Sequence, residues 1–303
     1  MAWQAMILAA GLGTRLRPHT MVRPKPLFPV LDRPLLRRII DQLRWAGCNS
    51  ILVNAFHLRQ QIKESLADIP GVAVQLEERE LGTGGGLRRA CAALAPEPVL
   101  VVNGDIVHNL DYQMVYHHHL ATGNDVTLVL HDCPRFNNVM VGPGETIAGF
   151  APSSAAAVAG RQLAFTGLQV INPELLLRIP PAVFYNSIDW YRQLIAAGCR
   201  VKALVVGDHY WTDMGTPADY LQLHADLLGG RAPLFKEETA AIVGEPPVFQ
   251  GSGVHLGRGV KFADWAVLGR KARLDEGVSL RRCVVWDGVR VPAGTTATDT
   301  IFS

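Results

Sequence analysis

From Val254 onward a small or apolar side chain returns every six residues, at Val254, Val260, Ala266, Ala272, Val278 and Val284. The count then drops by one and resumes at Val289, Thr295 and Ile301, with glycines close by at 257, 259, 269, 277, 288 and 294. A period of six does not match the 3.6-residue repeat of a helix, and it is longer than the simple alternation of an ordinary β-rich tail. It fits a coil of short strand sides stacked in parallel, with glycines at the corners. A coil of this kind buries its apolar positions against its neighbours. Residues 247–303 are therefore expected to form a short parallel β-helix of about three coils.

The chain before this tail has a different texture. Residues 5–10 are a short apolar run that ends at Gly11, as a buried parallel strand would. Residues 35–46 carry apolar side chains at helical spacing, with Gly47 where a C-cap belongs. Strands are expected at 50–54, 72–76 and 99–102, with helices at 58–66 and 86–94 between them. Further strands are expected at 126–130, 138–141, 167–171 and 201–206, and helices at 188–197 and 217–228. Small residues at 153–160 read as a loop. Strand and helix in alternation imply an α/β fold, a mostly parallel sheet with helices on both faces. The division expected is a domain over 1–230 and a tail over 247–303. In such sheets ligands bind beyond the carboxyl ends of the strands, so the loops after Ala10 and Val102 are the first places to look.

Composition narrows the partners. The 29 basic and 27 acidic residues leave a formal charge of +2, which argues against a nucleic acid or an anionic membrane as partner. The five cysteines are scattered and form no C-x-x-C pair, so neither a disulfide framework nor a structural zinc site is expected. With no apolar run long enough to span a bilayer, a cytoplasmic protein is the expectation.

The densest chemistry lies between residues 8 and 27: Leu8-Ala9-Ala10-Gly11-Leu12-Gly13-Thr14-Arg15-Leu16-Arg17-Pro18, then Pro24-Lys25-Pro26-Leu27. Glycines directly after a buried strand let the backbone approach a ligand closely. Successive N–H groups in such a turn form an anion-binding concavity. Arg15 adds a planar fork of donors, and the prolines beside Lys25 restrict where its ammonium can go. The combination suits a polyphosphate. It is not a Walker A loop, since G-x-x-x-x-G-K-[ST] is absent, nor a dinucleotide fingerprint, since Leu16 stands where a third glycine is needed. Two aspartates suit a hard cation. Asp105 follows the strand at 99–102 in Asn103-Gly104-Asp105, and Asp213 follows the strand at 201–206. Magnesium takes one or two carboxylates together with phosphates and water.

These motifs resemble the signature of the sugar-1-phosphate nucleotidyltransferases. The resemblance spans residues 4–225 and includes Gly82-Thr83-Gly84-Gly85-Gly86 and Trp211-Thr212-Asp213-Met214-Gly215-Thr216-Pro217. Val284-Val285-Trp286-Asp287 resembles the left-handed β-helix tail that several members carry. The resemblance implies a Rossmann-like fold, magnesium as cofactor, and a nucleoside triphosphate and a sugar 1-phosphate as substrates. It places Leu8, Ala9, Ala10, Gly11, Gly13, Thr14, Gly82 and Thr83 around the nucleotide, with Arg15 and Lys25 on its phosphates. Asp105 and Asp213 would hold the metal. The reaction implied is attack of the sugar phosphate on the α-phosphorus with loss of pyrophosphate. A homo-oligomer is also expected.

The chain departs from the family pattern in its sugar half. Where many members have Glu-Lys-Pro it has Gly149-Phe150-Ala151-Pro152, and Phe165-Thr166-Gly167 replaces Asn-Ala-Gly. Lys202 and Arg161 are the candidates for the missing cation. Glu77 or Glu78 stands where thymidylyl members have glutamine. A carboxylate accepts from guanine N1–H and its amino group, which favours GTP over UTP. Two other functions compete: a non-catalytic sensor of nucleotide sugars that lost the Glu-Lys pair, and an acyltransferase built on the β-helix, for which His255 is the only tail histidine. His117-His118-His119 on a helix is expected to give one buried and two exposed side chains, not a metal site.

Overall fold

The computed structural model describes residues 3–151, 160–232 and 242–303. The chain gathers into two compact units, each assembled from three stretches. One comprises Met1–Leu12, Ile39–Ile106 and Leu110–His209, the other Gly13–Arg38, Val107–Asn109 and Tyr210–Ser303. This partition cuts the chain differently from the 1–230 and 247–303 division. It splits the glycine-rich signature after Leu12 and groups its basic half with the tail.

The first unit is an α/β layer built on a nine-stranded sheet. Trp3–Leu8 runs parallel to Cys48–Ala55 on one side and to Val99–Asn103 on the other, and Val72–Leu76 extends the parallel set beyond Cys48–Ala55. Arg161–Ile171 then joins Val99–Asn103 antiparallel and carries Val126–His131, to which Val201–Val205 is parallel. Ala5, Met6, Ile7 and residues 99–101 have no exposed surface, as strands covered on both faces require. Trp190 and Tyr191 of the Ser187–Ala196 helix pack into the same core.

Most expected elements are present, with shifted ends. The first strand stops at Leu8, which leaves Ala9 and Ala10 in the loop. The helix expected at 35–46 runs Leu35–Trp45, and Gly47 follows it at φ 86°. The strand at 72–76 and the helix at 217–228 have the expected bounds. The expected loop at 153–160 lies outside the described residues except for Gly160.

The helix expected at 86–94 is corrected. It runs Gly82–Ala90 and takes in the whole glycine run. Glycine costs a helix about 1 kcal/mol per residue relative to alanine, so packing must compensate. A Cβ on Gly84 would lie 3.1 Å from Tyr185 O, one on Gly85 2.5 Å from Val183 O, and one on Gly86 2.7 Å from Asn54 Nδ2. The glycines therefore serve close approach. The Tyr185 carbonyl also accepts the N–H groups of Gly84 and Gly85, at 2.9 and 3.3 Å, which satisfies the helix start.

The second unit contains the coil. Strand pairs Val248↔Ala266, His255↔Arg273 and Lys261↔Ser279 are parallel and 18 residues apart. Ala266↔Cys283, Arg273↔Arg290, Ser279↔Thr296 and Val284↔Ile301 are 17 apart. The slip in the six-residue count is thus real, but it falls one side earlier than the sequence count placed it. Cys283, not Val284, takes the slot below Ala266. Ala266, Ala272, Val278, Cys283 and Val291 fill the interior.

Helix Pro217–Leu228 begins at the cap Thr216, whose hydroxyl accepts from Asp219 N–H at 3.2 Å. It buries His224 completely. The ring Nε2 accepts from Leu31 N–H at 3.1 Å, and Nδ1 donates to the Tyr220 carbonyl at 2.9 Å. Only the neutral ring can serve both partners, and burial lowers the pKa to about 4, with the nearby Arg38 charge adding to the effect. Between pH 6.5 and 4 the unfolded chain therefore binds the extra proton. The stabilisation from this histidine is complete above pH 6.5 and is lost as pH falls toward 4. The shift corresponds to about 3 kcal/mol. Urea midpoints at pH 7 and 4.5 should separate by less in His224→Gln than in the unaltered chain. Equal separations would refute the assignment.

No helix among the described residues is long and apolar enough to cross a membrane.

Candidate active site

The basic half of the signature lies in the second unit. Gly13 has φ 60°, and a Cβ there would sit 2.8 Å from Thr20 Cγ2. Its carbonyl accepts from Leu16 N–H at 2.9 Å and from the Thr20 hydroxyl at 3.0 Å. This closes the Thr14–Leu16 turn and leaves Thr14 and Arg15 exposed. Lys25 opens a second 3-10 turn, Lys25–Leu27, with a proline on either side. Its side chain is only 7% exposed, and Nζ stands 3.0 Å from Asp213 Oδ1. Arg15, 60% exposed, reaches the other oxygen of Asp213 at 3.7 Å. Three of the four residues expected to handle phosphate and metal thus converge, and two cations face one carboxylate.

Gly215 makes this convergence possible. A Cβ there would lie 2.7 Å from Asp213 Oδ2 and 2.9 Å from Arg15 Nη2. Arg15 is the flexible member and would give way. Gly215→Ala should lower turnover about tenfold to a hundredfold by misplacing the guanidinium, with little change in melting temperature. Unchanged turnover would show that the Arg15 position is irrelevant.

The first unit holds the other candidates. Leu8 ends the strand, and its carbonyl accepts from Gly104 N–H at 2.9 Å, which ties the Asn103-Gly104-Asp105 turn to the signature. Asp105 is half-buried in that turn. Gly167, at φ 82°, marks a break in strand register; a Cβ there would be 2.9 Å from Asn103 Nδ2. Ala10 is half-buried, and Gly11 is exposed with nothing within 4 Å of where a Cβ would stand, so the backbone there is open to a ligand. Gly82 takes φ 67°, and Thr83 follows it in the first turn of its helix.

Sequence reasoning missed Asn54. It is 2% exposed, accepts from Ala9 N–H at 2.8 Å and donates to Glu77 Oε1 at 2.9 Å. It lies near the end of an ordinary buried strand, and no motif marks it. Through Asn54 the signature backbone and Glu77 are fixed together. Glu77 is fully buried, whereas Glu78 is exposed. Its Oε1 also accepts from Gln75 at 3.2 Å, while Oε2 has no hydrogen-bond partner among the described residues. Burial pushes the Glu77 carboxyl up, against the hydrogen bonds from Asn54 and Gln75.

Both candidates for the missing sugar-half cation have protein partners on one turn. Lys202 donates to Gly144 O at 3.1 Å and to Thr146 Oγ1 at 2.7 Å, and Arg161 pairs with Glu145 at 2.7 Å. Both hold the Pro143–Glu145 turn. His119 is buried between Thr127 and Asn172, and no group of three or more metal-ligating side chains occurs among the described residues.

Known proteins resemble this chain in sequence and fold. The family model described as nucleotidyl transferase matches residues 4–229. A mannose-1-phosphate guanylyltransferase of Mycobacterium tuberculosis is 30% identical over 96% of this chain and 81% of its own length. A UTP–glucose-1-phosphate uridylyltransferase of Synechocystis is 25% identical over 98% of this chain and 86% of its own. Among solved structures, HddC from Yersinia pseudotuberculosis, complexed with GMP-PN, superposes with a TM-score of 0.62 at 24% identity. It covers 73% of this chain and 98% of its own.

Proposed function

Since this chain belongs to the nucleotidyl transferase family, we propose that it joins GTP to a sugar 1-phosphate and releases pyrophosphate. Sugar-1-phosphate nucleotidyl transfer is the activity named for its relatives. The observation that carries the reading is the convergence of Lys25 and Arg15 on Asp213, at 3.0 and 3.7 Å.

A phosphate nucleophile is already ionised near neutral pH, so the reaction needs positioning and charge neutralisation more than a base. Lys25 and Arg15 would stabilise the negative charge that builds on the departing pyrophosphate. Before substrate binds, Asp213 balances much of their charge and keeps Lys25 in place. Leu8, Ala9, Ala10 and Gly11 would pass along the nucleotide, with Gly13, Thr14, Gly82 and Thr83 bordering it.

The donors present fit magnesium. They are carboxylate oxygens, the hard donors that magnesium takes beside phosphates and water. Asp105 and Asp213 would hold the ion, which would supply charge neutralisation between the substrates' phosphates.

GTP is favoured over UTP by Glu77. A buried carboxylate oxygen without a donor costs about 1–3 kcal/mol, and guanine can supply two donors where uracil offers one. Glu77→Gln should shrink the preference for GTP over UTP about tenfold in kcat/KM. If the ratio stays unchanged, Glu77 does not read the base.

The test of the function is pyrophosphate release across four nucleoside triphosphates and a panel of sugar 1-phosphates, with Asp105→Asn as control. Turnover with one pair, lost in the variant, is expected. A second reading, a non-catalytic sensor of nucleotide sugars, is favoured by the engagement of Lys202 and Arg161 with the Pro143–Glu145 turn. Tight binding of a nucleotide sugar with no turnover across the panel would establish that reading instead.

A further inference from the structure

Lys25 stands on a short segment of single turns held by local backbone bonds, among them Leu27 N–H to the Pro24 carbonyl at 2.8 Å and Phe28 N–H to the Lys25 carbonyl at 3.0 Å. Arg23 and Pro24 are extended, at φ −145° and −67°, between the single turn His19–Val22 and the turn Lys25–Leu27. Prolines at 24, 26 and 29 withdraw three backbone donors. The backbone bonds here are local, and side chains of the tail tie the segment to the rest of its unit. The Arg23 guanidinium lies 4.6 Å from the centroid of the Trp286 indole. Its Nη1 donates to Asp287 Oδ1 at 3.2 Å. On the far side of Lys25, the fully buried Phe28 meets the same indole edge-on at 4.7 Å. Trp286 Nε1–H donates to the Tyr220 hydroxyl at 3.1 Å, and that hydroxyl donates to the Pro29 carbonyl. One tryptophan thus grips the chain two residues before Lys25 and three residues after it.

The same cluster steadies the partner of Lys25. Tyr220 sits in the first turns of helix Pro217–Leu228, whose cap Thr216 is three residues beyond Asp213. The lysine and the aspartate are each a short, constrained stretch away from Trp286.

We propose that Trp286 and Asp287 are positioning residues for nucleotidyl transfer, holding Lys25 against Asp213 through Arg23 and Phe28. The coil that carries them is then part of the catalytic apparatus, not an appended module. The proposal rests on the reading of Lys25 as a phosphate-binding cation. A merely structural role for the cluster makes a different forecast. Arg23 and Asp287 are 25% and 34% exposed, and an ion pair so placed adds little to stability. Small displacements of a charged group in a reaction centre, by contrast, cost rate steeply.

The test uses the full chain with Arg23→Gln, Arg23→Lys, Asp287→Asn and Trp286→Phe. Four quantities are read: kcat, KM for each substrate, melting temperature, and amide-hydrogen exchange over residues 23–31. Arg23→Gln and Asp287→Asn should each lower kcat about tenfold and leave KM for the sugar 1-phosphate unchanged. The melting temperature should move by no more than about 2 °C, and exchange over 23–31 should quicken. Arg23→Lys keeps the charge and should recover part of kcat. Trp286→Phe keeps a ring but loses the N–H donor, and should fall between Asp287→Asn and the unaltered chain. Unchanged kcat and exchange in Arg23→Gln and Asp287→Asn would overturn the proposal, as would a loss of rate matched by a loss of folded protein. Absence of turnover in the unaltered chain would overturn the underlying reading of Lys25, whereas unchanged exchange would overturn the anchoring itself.

Discussion

Lys25→Met is expected to reduce kcat/KM for nucleotidyl transfer by about two to three orders of magnitude, the usual effect of removing one pre-placed group that stabilises transition-state charge. Methionine matches the length and much of the volume of the lysine side chain, so the fold should persist. Lys25 is 7% exposed and fixed at 3.0 Å from Asp213, whereas Arg15 is 60% exposed and 3.7 Å away. The buried cation is the better organised of the two and loses less entropy on binding phosphate. Arg15→Met should therefore cost less than Lys25→Met. Steady-state kinetics on both variants checks the order, and a larger loss at Arg15 would reverse the roles assigned here.

Asp213→Ala is expected to be the most destabilising change at the site. It deletes the carboxylate 3.0 Å from an ammonium that is 7% exposed. Taking away a carboxylate that compensates a buried charge is costly, because the charge keeps its desolvation penalty. The reciprocal change is milder. Lys25→Met leaves Asp213, itself 16% exposed, with the Arg15 guanidinium and with solvent. Denaturant unfolding of the two variants should show Asp213→Ala less stable than Lys25→Met by at least about 1 kcal/mol. Equal losses would mean that the lysine is better solvated than its burial indicates. Activity should vanish in Asp213→Ala, so the two variants separate stability from chemistry.

Local pattern carried much of the fold. The apolar runs that became Trp3–Leu8 and Val99–Asn103 sit in a sheet covered on both faces, where alternation is lost but a continuous apolar run remains legible. The six-residue period was legible because each coil repeats the same packing problem. Its slip was misplaced by one side because Cys283 and Val284 are both small or apolar and both buried, so composition alone does not say which one faces the interior. The glycine run was misread because glycine's helix penalty is a local property. What offsets it, the approach of Val183, Tyr185, Asn54 and Glu77, comes from elsewhere in the chain.

The candidate residues followed the same rule. Gly13, Arg15 and Lys25 announce themselves within one short stretch. The pairing of Lys25 with Asp213 spans 188 residues and follows from the fold. Asn54 carries no motif because its role is to connect Ala9 to Glu77, and either neighbour alone would look ordinary. The grouping of Gly13–Arg38 with the tail likewise rests on Trp286, Phe28 and Tyr220 meeting as a cluster, which no periodicity encodes.

The most direct test of the central claim follows the two ends of the triphosphate separately. With the sugar 1-phosphate that supports turnover, GTP labelled at the α-phosphate should pass its label to a nucleotide sugar, and GTP labelled at the γ-phosphate should pass its label to pyrophosphate. Both transfers should slow together, and by the same factor, in Lys25→Met. Label from the γ-phosphate in orthophosphate, or on the sugar, would contradict the account, because it would mean hydrolysis or phosphoryl transfer at the wrong phosphorus.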